Sequence, residues 1–154
     1  MAAKYEIIDS LNLKYVTISG STNLAELRDL ARNYLDDPLF SLEQSQLIDL
    51  EALTDAKARF MDVFTLRNFY LRKYGPVDEP VRVAMYAPSS LGYGVCRMFS
   101  SLMSGQKLMS IKIFERKNDA LEWLDINPYG PIWMAAKASI DTPNLPSNAA
   151  RVEP

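Results

Sequence analysis

The residues best placed to do chemistry in this 154-residue chain are Ser89, Ser90 and Tyr93, in the run APSSLGYG at 87–94. The run follows an apolar stretch, VRVAMY, that reads as a strand, and it opens a helix. The first N–H groups of a helix have no partner inside it and carry the positive end of its dipole. Two serine hydroxyls beside them make a spot suited to an anion or a carbonyl oxygen. The position fits too, because open α/β sheets gather ligands at the C-terminal ends of parallel strands. Tyr93 would roof such a pocket, with Phe60 and Phe64 from the preceding helix and Met98 as lining. The plainer reading of these residues is ordinary packing, with Ser89 or Ser90 as the helix N-cap. Gly92 and Gly94 sit where a nucleotide loop would place its first two glycines, but the third position is Arg97. No acidic residue about 20 positions on closes a ribose site. The glycines read instead as small residues that let the helix start lie close to the sheet.

Other chemistries are narrowed by what is absent. The chain has no histidine, which removes histidine-activated serine or cysteine nucleophiles and histidine metal sites. Cys96 is the only cysteine and falls on an apolar helix face, so it reads as an inert packed thiol. The carboxylate pairs Asp36-Asp37, Asp78-Glu79 and Asp55 with Asp62 have no spacing that dictates acid/base work or a metal. Asp49, a polar intrusion in the strand QLIDL, reads either as a site residue at a strand end or as a carboxylate bonding nearby backbone N–H groups. No metal, cofactor or catalytic constellation is expected.

The net charge of −2 gives no electrostatic case for nucleic acid or an anionic membrane. No apolar run approaches the roughly 18 residues of a membrane span. MAAKYEIIDS has no apolar core of a secretory signal, and a single cysteine suits a reducing compartment, so a cytoplasmic location is the expectation.

The elements that must position these residues follow from pattern. KYEIID and KYVTIS are β-rich runs that read as a half-buried antiparallel hairpin, with Val16 and Ile18 on one face and Tyr15, Thr17 and Ser19 on the other. A helix from Leu24 to Leu35 follows, with Asn23 and Glu26 as its capping pair. QLIDL is a short strand. Thr54 and Asp55 open a long helix that Gly75-Pro76 stops. VRVAMY is a strand, and a helix from about Ser90 to Ser104 ends at Gly105. SIKIFER is a strand, and Asn118 caps a short helix, DALEWLD. The order is α/β, with a mixed sheet of about five strands: an N-terminal hairpin, then βαβαβ with packed helices. Residues 1–125 form the domain. Residues 126–154 hold five of the nine prolines, show no periodicity and read as an irregular tail. Trp133 and its neighbours would dock on the domain or on a second copy, which makes a homodimer an expectation.

The stretch YAPSSLGYGVCRMF followed by IKIFERKNDALEWL resembles the bacterial SpoIIAA-like family grouped with STAS and SEC14 domains. The resemblance rests on Ala87, Pro88, Tyr93, Gly94, Arg97 and Met98, then Phe114, Ala120, Leu121, Trp123 and Leu124, and covers about 1–125. It implies the fold of anti-sigma-factor antagonists and two roles without catalysis: a regulatory module with a protein partner, or a carrier or sensor of a small apolar ligand. The family's phosphorylated members carry an Asp-Ser-Ser/Thr-Gly turn after the strand matching QLIDL. Here Ala58 falls at the acceptor position and Thr54 is the nearby hydroxyl, so no phosphorylation site is expected.

Overall fold

The computed structural model describes residues 3–56, 60–74, 79–105 and 107–141. In chain order the elements are β1 (Ala3–Ile8), β2 (Leu13–Ile18), β3 (Gly20–Thr22), α1 (Leu24–Leu35), β4 (Ser45–Asp49), β5 (Leu53–Ala56), α2 (Phe60–Tyr74), β6 (Val81–Tyr86), α3 (Ser90–Met103), β7 (Met109–Phe114), α4 (Lys117–Trp123) and α5 (Pro131–Ile140). The main sheet runs β1-β2-β4-β6-β7, with β1 and β2 antiparallel and every other pair parallel. The β1–β2 hairpin turns through a short 3-10 segment and leaves it at Asn12, which takes left-handed angles that asparagine tolerates.

Because strands β2, β4, β6 and β7 add in sequence order, constant crossover handedness places the intervening helices on one face. α1, α2 and α3 indeed pack there, over Val16, Ile18, Leu50, Val83 and Met85. The opposite face carries Leu13, Tyr15, Leu47, Ala84 and Tyr86 and is covered by α4 and α5. Two layers of helix thus enclose the sheet, and β2 is buried on both faces rather than half-buried. Helix α1 starts where its cap predicts: Asn23 Oδ1 accepts from the Glu26 N–H at 3.0 Å. The Glu26 carboxylate accepts instead from Thr22 Oγ1, at 3.3 Å.

Three local expectations change. Thr54 and Asp55 belong to β5, not to a helix, because β5 pairs in parallel with β3. α4 begins at Lys117 with Arg116 as its N-cap, two residues before Asn118. An element also occurs where no periodicity was read: Pro131 opens α5, and Trp133 and Ala136 of α5 are buried against the sheet. Trp133 therefore docks on its own domain, with its ring 5.9 Å from that of Tyr15. The Gly75-Pro76 stop, Ala58, and the stretch 142–154 lie outside the described residues.

Candidate functional site

Ser89 is the N-cap of α3, its Oγ accepting from the Gly92 N–H at 3.1 Å. Ser89, Ser90 and Tyr93 line one open groove of about 320 Å³, with Glu115 also on its wall. A carboxylate there opposes any anion drawn to the helix start. Phe64 and Met98 do not line this groove. Phe64 packs near Arg67, whose guanidinium carbon is 5.4 Å from the ring centroid, and Met98 is half-buried on α3. The Phe60 side chain lies outside the described residues. A Cβ at Gly92 would sit 3.4 Å from those of Ala87 and Leu50, so that glycine marks a close helix–sheet approach; Gly94 faces open space.

The deeper concavity is behind α3, between the sheet and the layer formed by α1, α2 and α3. It has a volume of about 110 Å³. Strands contribute Val16, Ile48 and Met85 to its walls, and helices contribute Leu30, Tyr70 and Phe99. Cys96 is also on the wall. Burial pushes its thiol up to about 12, so it is a packed, protonated group and not a nucleophile.

Two polar side chains enter this apolar space, Lys14 and Gln46, side by side on β2 and β4. Lys14 is only 1% exposed. Strand alternation puts it inside, on the same face as Val16 and Ile18. Its ammonium lies 3.9 Å from the centroid of the Tyr34 ring. That ring is held firmly: Tyr34 donates its hydroxyl proton to Gln44 Oε1 at 2.7 Å, and Phe40 packs edge-on at 4.9 Å. Among the described residues no carboxylate forms an ion pair with Lys14. The carboxylate at the end of α1, Asp37, instead accepts from the Tyr5 hydroxyl at 2.8 Å and from the Leu39 N–H at 3.0 Å. Loss of hydration pushes the Lys14 amine down to about 7. At neutral pH, charged and uncharged forms are therefore both populated.

No family model, curated protein or solved structure matches the chain.

A second polar cluster lies at the C-terminal end of β4, on the α4–α5 face. Asp49 accepts from the Tyr15 hydroxyl at 2.5 Å, pairs with Lys117 Nζ at 3.0 Å, and accepts the Glu51 N–H at 2.9 Å. The reading of Asp49 as a carboxylate that bonds nearby backbone N–H holds, through the Glu51 N–H. Three donors occupy the carboxylate. Burial, and then the Asp49 charge, push the Tyr15 phenol far above its ordinary range, so it stays a donor. A group held this way ties β2, β4 and α4 together and offers no free base. Among the described residues, no cluster of three or more carboxylates or thiols is placed to hold a metal, and no helix is long and apolar enough to cross a membrane.

Sequence reasoning missed Lys14 and Gln46. The signal was present: Lys14 stands two residues before Val16 and four before Ile18, on the face already assigned to the core.

Proposed function

We propose that this chain is a non-enzymatic, STAS-like carrier or sensor that takes up a small apolar molecule between its sheet and helices α1–α3. The observation that carries the reading is the cavity of about 110 Å³ with almost wholly apolar walls. Close-packed interiors hold few voids larger than a water molecule. An apolar cavity of about 150 Å³ accepts a benzene ring, so this one encloses a smaller body, or holds part of a benzene-sized one through its open side. The family resemblance centred on Tyr93, Gly94, Arg97 and Met98 supports the same class of role. Methyl NMR of the whole chain titrated with benzene tests it. Saturable shifts of Val16, Ile48 and Val83, abolished by a cavity-filling Val95→Phe change, are expected. Shifts that do not saturate, or that persist in Val95→Phe, would refute it.

A protein-interaction role has its own observation. Tyr129, Ile132 and Met134 are 77%, 47% and 49% exposed along one short stretch around α5. Self-association through this strip predicts that Ile132→Ser with Met134→Ser halves the mass seen by light scattering. A monomeric wild-type protein removes it.

A further inference from the structure

We infer that Lys14 selects the occupant of the cavity, which is a short apolar carboxylic acid whose carboxylate pairs with the Lys14 ammonium. The inference rests on the cavity being a ligand site and adds the chemical class of the ligand. A lysine this deeply buried ordinarily has a paired carboxylate, because a buried charge without one is strongly disfavoured. Lys14 has the Tyr34 ring on one side and apolar cavity on the other, and no acidic partner among the described residues. The charge missing from the protein is the charge a carboxylate ligand brings. Its hydrocarbon body would then lie against Val16, Ile48, Tyr70 and Met85, which line the same space. The Tyr34 ring face stabilises the ammonium form of Lys14, which favours ion pairing over attack of the free amine on a carbonyl.

An arriving carboxylate draws the Lys14 amine back toward its charged state. Binding above neutral pH therefore takes up a proton. Among the described residues, the other titratable groups on this face are Tyr5 from β1, Tyr34 from α1, Asp37 just after α1, Tyr70 from α2, and Cys96 from α3; β4 contributes Gln46, which does not titrate.

The test uses the whole chain with sodium pentanoate and 1-pentanol, which have the same carbon count and differ in head group. Methyl NMR gives the affinities. Calorimetry in two buffers of different ionisation enthalpy counts protons. Pentanoate is expected to bind at least tenfold more tightly than pentanol at pH 6.5. At pH 8 its binding is expected to take up most of one proton, and that of pentanol none. Lys14→Met is expected to lose pentanoate and keep pentanol. Equal affinities in the wild type, a preference for pentanol, or no proton uptake with pentanoate overturns the inference and leaves the apolar cavity standing. Unchanged pentanoate binding in Lys14→Met does the same. If neither molecule binds, the cavity reading fails, and this inference with it. Should Lys14→Met not fold, the wild-type preference and proton count decide alone.

Discussion

Replacing Lys14 by methionine should stabilise the protein and remove a specific pH dependence. Methionine matches the length and flexibility of lysine and brings no charge into the core. The folded chain holds the amine at about 7 against an ordinary 10.5. At about 1.4 kcal/mol per pH unit, that displacement corresponds to about 5 kcal/mol. The direction follows from proton counting. Between pH 7 and 10.5 the unfolded chain binds the proton and the folded chain does not, so stability rises with pH. Below 7 both states hold the proton and the full penalty of the buried charge applies. Above 10.5 neither does, and the penalty vanishes. Urea denaturation of wild type and Lys14→Met at pH 6.0, 7.5 and 9.0 reads this directly. The difference between the two proteins cancels the titration of groups that Lys14 does not influence. From pH 7.5 to 9.0 the wild type should gain about 2 kcal/mol relative to the variant. At pH 6.0 the variant should be the more stable by several kcal/mol, up to about 5. Parallel pH profiles, with the variant less stable throughout, would show that Lys14 is well paired when folded and would refute the reasoning.

Two further outcomes test the other face of the sheet. Asp49→Asn leaves Lys117 and Tyr15 without their charged acceptor. Since Lys117 is partly solvated, the expected loss is about 1–3 kcal/mol, against about 1 kcal/mol for Tyr15→Phe. Equal, negligible losses by urea denaturation would mean that the cluster does not tie β2, β4 and α4. Trp133→Ala should lower stability by about 3–5 kcal/mol, because the side chain is 4% exposed against Tyr15. A change below about 0.5 kcal/mol in thermal and urea melts would place α5 outside the cooperative unit.

Local pattern made most of the fold legible. Alternation marked β2, an apolar run marked β6, Asn23 marked the start of α1, and strands alternating with helices predicted the α/β class and the five-stranded mixed sheet. What was missed depends on partners distant in the chain. Thr54 and Asp55 look like a helix start, yet Gly20–Thr22 recruits them into a parallel pair that no short-range signal announces. α5 was hidden by Pro128, Gly130 and Pro131, although proline at the first helical position is a start signal. The site was legible in part. Ser89, Ser90 and Tyr93 do come together. The cavity does not belong to any one motif, because it exists only where three helices fail to fill the space above the sheet. Lys14 was passed over because a lysine in a strand normally points to water, and the helices α1–α3 that close over its face all come later in the chain than β2.

The cavity's walls run from Lys14 to Met109. Its roof comes from three separate crossovers, and its floor is incomplete until β7 pairs with β6. A ribosome adding about 5–20 residues per second needs about 5–20 s to make that span. The Lys14 ammonium stays hydrated until α1–α3 close over β2, so its desolvation comes no earlier than that closure. A penalty confined to that late step acts on the rate of unfolding and hardly on the rate of folding. The buried lysine therefore makes the native domain open more often than an apolar residue in its place would.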